Sequence, residues 1–239
     1  ARLAERCGLA DDNPPRRYHT PMTVELPSKH TEKTAYYDYL SVVGAALQIC
    51  GVSRPDCSFA IGCLARHSKT TGEEHVEALE RLVSYLYQTR FKAITYRTSV
   101  DGTNIPVVYE NGVHPLDVDK EEPMKVFVDS DFAGTDGRST AGYVVFLNGG
   151  PVIWSSKLMK VAATSSAEAE VIAAVESVKT ASHFRQLLNE LGICKSGSID
   201  VREDNIACKE SAERLKCHKR ARHYQGKLRY LQNCHQNGS

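Results

Sequence analysis

Three carboxylates stand where distant segments of a chain can converge. Asp129 ends the apolar run Lys125-Val126-Phe127-Val128-Asp129, which reads as a strand buried on both faces. Glu170 falls in the first turns of a long helical run, and Asp204 follows the short strand Ile199-Asp200-Val201 just ahead of another helix. Strand ends and helix starts meet at one edge of a sheet. Carboxylates gathered within a few ångströms repel one another unless a cation sits among them, so such a cluster suits a hard divalent ion, Mg²⁺ or Mn²⁺. A pair of such ions ~3.5–4 Å apart can hold both the attacking water and the leaving oxygen of a phosphodiester. The same three acids also have structural uses. An Asp caps a helix start, and a Glu in a first turn suits the helix dipole.

Two neighbours compete for these places. Glu168 and Glu170 lie ~200° apart around a helix, so only one of them can face a given site. Asp131 shares a strand face with Asp129. Further along, Arg214, Lys216, Lys219, Arg220, Arg222, Lys227 and Arg229 crowd a tail without acids, although the whole chain carries a net charge of only +1. Such a strip can contact phosphates, or it can balance the acidic stretch Asp117–Glu122. Cys217, His218, His223, Cys234 and His235 match no zinc-finger spacing.

The elements that must position these residues follow from periodicity and turn chemistry. The chain has 239 residues, 41% hydrophobic and 25% charged, an ordinary globular composition with no run long enough to span a membrane. Its eight cysteines include no Cys-x-x-Cys pair and several sit in apolar runs. They read as reduced, buried thiols of a cytoplasmic or nuclear protein. A chain starting at Ala1 reads as a processed product or a fragment; no signal peptide is visible, and targeting ahead of Ala1 stays open.

Pro-rich residues 1–35 read as an extended lead-in. Tyr36–Leu86 reads as three helices, with His75 on an apolar face, and the turn-rich Gly112–Pro123 as a linker. Strands then run through Lys125–Asp129, Gly142–Leu147 and Val152–Ser155, the last two joined at Asn148-Gly149, a hairpin signal. Ser165-Ser166-Ala167-Glu168 has capping character ahead of a helix ending near Gly192. A fourth strand at Ser198–Val201 and two more helices complete an α/β (α+β) order with a mixed sheet.

Several ordered strings resemble one family. Tyr37-Asp38-Tyr39-Leu40-Ser41-Val42-Val43-Gly44, Ser53-Arg54-Pro55-Asp56 and Ser84-Tyr85-Leu86-Tyr87 come first. Val128-Asp129-Ser130-Asp131-Phe132-Ala133-Gly134, Arg138-Ser139-Thr140-Ala141-Gly142-Tyr143, Ser165-Ser166-Ala167-Glu168-Ala169-Glu170 and Glu203-Asp204-Asn205 follow. From about Leu3 to Leu231 the chain resembles the C-terminal part of a copia-type LTR retrotransposon polyprotein, the end of the reverse transcriptase and the ribonuclease H domain.

The resemblance implies a helical reverse transcriptase thumb or connection tail over residues 1–115 and an RNase H-like domain over 121–239. It implies hydrolysis of the RNA strand of an RNA–DNA hybrid, with two Mg²⁺ ions (or Mn²⁺) on Asp129, Glu170 and Asp204. Arg220, Arg222, Lys227 and Arg229 are the expected nucleic-acid contacts. The expected partners are the hybrid and an upstream polymerase domain or a larger assembly, in the cytoplasm or nucleus. The family's string on its last helix usually carries a fourth carboxylate, where this chain has His223-Tyr224-Gln225. Gln225 has no charge and holds a divalent ion less tightly. The chain also lacks the polymerase Asp-Asp motif; Tyr36-Tyr37-Asp38-Tyr39 does not fit it. The alternative is a retrotransposon-derived, catalytically weakened protein serving as a structural or nucleic-acid-binding subunit.

Overall fold

The computed structural model describes residues 16–23, 38–96, 124–134, 137–191, 198–213 and 223–237. The chain divides between Ala93 and Ile94 into two compact units. The expected boundary at 115–121 and most of the expected lead-in lie outside the described residues.

Among the described residues, the first unit holds three helices, α1 (Tyr39–Val52), α2 (Ser58–Arg66) and α3 (Glu73–Gln88), with a 3₁₀ turn at Pro55–Cys57. Val42, Val43, Ala46 and Cys50 recur at helical spacing on α1 and bury against Ile61 and Leu64 of α2 and Leu82 and Val83 of α3. Pro55 fixes the entry into the 3₁₀ turn. Beside it Arg54 grips Asp56 through two bonds, Nε to Oδ1 at 2.9 Å and Nη2 to Oδ2 at 2.8 Å. Tyr85 on α3 donates its hydroxyl to the same carboxylate at 3.2 Å, tying the third helix to the turn. His75 is fully buried and stacks on His67, with 4.2 Å between ring centroids. The described cysteines are free thiols, and Cys50, Cys57, Cys63 and Cys208 are buried.

The second unit is an RNase H-like α/β domain, a mixed sheet with flanking helices. Strands β1 (Met124–Asp131), β2 (Thr140–Leu147), β3 (Gly150–Leu158) and β4 (Ile199–Glu203) are ordered β3-β2-β1-β4. β1 pairs antiparallel with β2 and parallel with β4. Asn148 and Gly149 both take positive φ, 50° and 74°, which builds the tight β2–β3 turn. The crossover to β4 runs through the 25-residue helix α4 (Ser166–Glu190), and α5 (Ile206–Glu213) and α6 (Gln225–Gln236) follow. Among the described residues, no helix is long and apolar enough to cross a membrane.

Val126, Val128, Val145 and Leu147 cover one sheet face and bury against Ala169, Ile172, Ala173, Ala181 and Leu188 of α4. The opposite side of α4 takes Cys208 of α5 and Leu228 and Leu231 of α6 against Val171, Val175 and Val178. β1 is not buried on both faces as its apolar run suggested. Met124, Val126 and Val128 are buried, while Phe127 is 43% exposed and meets Phe146 edge-on with the Arg202 guanidinium above it. α4 covers the even-numbered side chains of β1, and Phe127 and Asp129 alternate away from it.

Candidate metal and nucleic-acid site

The head of α4 is set by a cap. Ser165, in extended backbone, accepts the Glu168 N–H on its hydroxyl at 3.2 Å, and the helix starts at Ser166. Glu168 turns back over the cap, and its Oε2 accepts the Thr164 N–H at 2.9 Å and the Thr164 hydroxyl at 2.8 Å. Burial works to raise this carboxyl, but the two Thr164 bonds, His223 and Lys227 hold it below the usual carboxylate range. Glu168 is an anchored anion.

Glu170, two residues on, has the opposite surroundings. It is 7% exposed, and its Oε2 is buried with no hydrogen-bond partner. Burial pushes its carboxyl above the ordinary value, and the charges of Asp129 and Asp204 push the same way, against a lowering pull from Ser130. Glu170 therefore lies within the fields of the other two candidate acids, which come from the far end of β1 and from just beyond β4.

A fourth acid joins them that the spacing argument passed over. Glu203, the last residue of β4, accepts the Asn205 N–H on Oε1 at 3.0 Å and leaves Oε2 buried without a partner. Its carboxyl is pushed up to about 7, first by burial and then by Glu170 and Asp204. It also lines a crevice of about 490 Å³ along β4 with Cys208, Leu231 and Cys234. The sequence signal was the tandem Glu203-Asp204 at a strand end, where one of two adjacent acids must turn inward.

The donor set is all carboxylate oxygen, which fits a hard cation in kind, and two buried oxygens lack partners. The spacing is open, however. Among the described residues, no three His, Cys, Asp or Glu side chains gather closely enough to hold a metal ion. The reason lies in β1. Asp129 is on the exposed face and folds back to accept the Ser130 N–H on Oδ1 at 2.8 Å, whereas Ser130 lies on the face toward Glu170. Asp131 shares the exposed face of Asp129.

Of the basic candidates, Arg220 and Arg222 lie outside the described residues. Lys227 is half-buried on α6, near enough for its charge to act on Glu168, and Arg229 is exposed. Gln225 is the first residue of α6. Cys217 and His218 also lie outside the described residues.

The sequence is similar to several known proteins. The retrovirus-related Pol polyprotein from transposon TNT 1-94 of Nicotiana tabacum is 30% identical over 200 residues, 80% of this chain and 14% of that polyprotein. The corresponding polyprotein from transposon RE1 of Arabidopsis thaliana is 28% identical over 211 residues, 87% of this chain and 13% of its own length. The chain thus spans about one seventh of the polyproteins it matches. Secreted RxLR effector protein 161 of Plasmopara viticola is 34% identical over 145 residues, 60% of this chain and 88% of that protein. No family model and no solved structure matches. Seven ordered motifs, the mixed sheet and these relatives agree: the chain belongs to the retrovirus-related Pol polyproteins of copia-type transposons.

Proposed function

We propose that the second unit hydrolyses the RNA strand of an RNA–DNA hybrid, with Asp129, Glu170 and Asp204 as the residues that hold Mg²⁺ or Mn²⁺. The observation that carries this reading is Glu170, a buried carboxylate with an unpartnered oxygen and two further acids acting on it. A fold that keeps such a group uncompensated loses stability unless something positive arrives. When bound, a pair of such ions activates the attacking water and stabilises the leaving 3′ oxygen.

The chain's own residues do the rest. Asp129 and Asp204 act on Glu170 through their charges, and Glu170, fixed by the packed turn of α4, supplies a desolvated oxygen. Glu203 keeps its bond to the Asn205 N–H and holds the loop bearing Asp204 in place. Lys227 and Arg229, with Arg220 and Arg222, bind the backbone of the hybrid, which is read by shape and 2′-hydroxyls. The reading places the protein in the cytoplasm or nucleus, in company with the polymerase that makes such hybrids.

A second reading is a retrotransposon-derived protein that binds nucleic acid or a larger assembly without cutting. The open spacing of the acids and the uncharged Gln225 support it. One assay separates the two. Purified chain with Mg²⁺ or Mn²⁺ should cleave the RNA of a labelled hybrid, and Asp129→Asn should lower the rate by about a thousandfold or more, the scale expected for removing a metal-holding carboxylate. Cleavage that survives Asp129→Asn removes that residue from the site, and hybrid binding without any cleavage favours the second reading.

A further inference from the structure

One buried acid at the head of α4 has no part in the proposed chemistry. Glu168 is 5% exposed, and Glu170 takes the site-facing side of the same turn. An ordinary capping-box glutamate reaches back to the N-cap residue at the rim of its own helix. Glu168 does more, because it also holds a residue 55 positions later: His223 Nε2 lies 3.2 Å from Glu168 Oε2 and 3.0 Å from Thr164 Oγ1. Thr164 in turn gives both its N–H and its hydroxyl to that same carboxylate oxygen. His223 sits two residues ahead of α6, half-exposed, with its ring edge-on to Tyr224 at 4.9 Å.

α6 is therefore held to α4 in three ways, one of them the Lys179 ammonium of α4, 5.4 Å from the centre of the Tyr230 ring of α6. Leu228 and Leu231 pack against Val171, Val175 and Val178. That apolar contact is non-directional and leaves rotation and sliding of the helix cheap. The polar contact at the start of α6 is directional and charge-assisted, so it sets the register of the helix. We propose that Glu168, Thr164 and His223 form a latch of positioning residues that fixes the start of α6, and with it Lys227 and Arg229, against the turn that carries Glu170. Fixing the register of the cationic helix against the acidic cluster determines where a bound backbone runs relative to the carboxylates. This rests on the reading of α6 as a hybrid contact and of Glu170 as part of the site.

The test uses the full chain with His223→Ala, Glu168→Ala, the double variant, and His223→Gln, whose amide can still donate to Glu168. Amide hydrogen exchange at Leu228–Leu231 should speed up about tenfold in both alanine variants, the effect of losing one charge-assisted bond, with α1–α3 unchanged. The KM for a hybrid should rise by a similar factor while kcat stays within about twofold, the double variant should be no worse than either single one, and His223→Gln should recover most of the loss. Unchanged exchange in His223→Ala overturns the latch. Faster exchange with an unchanged KM overturns its role in positioning, and so does a fall in kcat alone. If the unaltered chain binds no hybrid, the functional reading has failed separately, and the latch stands or falls on the exchange result.

Discussion

Asp56 in the first unit and Glu170 in the second are both acids drawn into a folded interior, and the two regions treat them in opposite ways. Burial works to raise Asp56, yet the two-pronged grip of Arg54 and the Tyr85 hydroxyl hold it below the usual carboxylate range. Glu170 is pushed up by burial first, and the charges of Asp129 and Asp204 add to it. The first unit balances its own charge, as a packing module does. The second leaves a carboxylate oxygen of Glu170 and one of Glu203 buried without partners at one end of its sheet, which the proposed function reads as a place for a cation.

The largest effect to be expected from this contrast is one of sign. Arg54→Ala strands Asp56 and removes the grip between the 3₁₀ turn and α3. It should cost about 2–3 kcal/mol, at the low end for breaking a buried pair because Asp56 is 40% exposed. Glu170→Gln should do the reverse in metal-free protein, relieving like-charge repulsion and stabilising by about 1 kcal/mol. Denaturant titrations of both variants, without and with Mn²⁺, read the difference. If Glu170→Gln destabilises the metal-free chain as much as Arg54→Ala does, the acids of the second unit are a structural network and no reserve for a cation exists.

A smaller effect lies in the pH dependence. Glu203 has a folded value of about 7 against an ordinary 4.5, so the folded state binds the proton more tightly than the unfolded one. Its contribution is therefore present below about 4.5 and lost as the pH rises toward about 7. Asp56 works in the other direction, stabilising above its ordinary value and losing that contribution on acidification. Since Glu203 is only half-buried, solvent screening brings the loss to about 1–2 kcal/mol. Metal-free protein should grow less stable from pH 4.5 to pH 7, and Glu203→Gln should flatten that slope while leaving the acid limb set by Asp56. A slope that survives Glu203→Gln assigns it to another group.

How much of this was legible beforehand depends on how local each cause is. The β2–β3 turn was readable because only residues tolerating positive φ suit it, and Asn148-Gly149 are such residues. The start of α4 was readable from Ser165, whose hydroxyl does cap it. The candidate acids were legible as strand-end and helix-start residues. The helical angle alone separates Glu168 from Glu170 without saying where the sheet lies, and it was the family resemblance that pointed to Glu170. Phe127 misled because an apolar run looks the same whether helices cover one face of a strand or both. Glu203 and the His223 contact of Glu168 depend on tertiary neighbours, in the second case 55 residues away, and periodicity carries no such information.

The smallest effect concerns Gln225, the uncharged residue where the family resemblance leads one to expect an acid. It opens α6, with His223 two residues before it and Lys227 two residues after. An Asp there would sit in the first turn of a helix that has no acid in it, a place the helix dipole favours by about 0.5 kcal/mol. Were position 225 also part of the acidic cluster, the new charge would add to the repulsion on Glu170 and cancel that gain in metal-free protein. It would then strengthen Mn²⁺ binding by about threefold, the modest return on one more oxygen ligand at a partly solvated site. Gln225→Asp should therefore leave metal-free stability nearly unchanged and raise Mn²⁺ affinity, measured by titration calorimetry. A clear gain in stability with no change in affinity would mean that this end of α6 belongs with the balanced, structural part of the molecule and stands apart from the carboxylates.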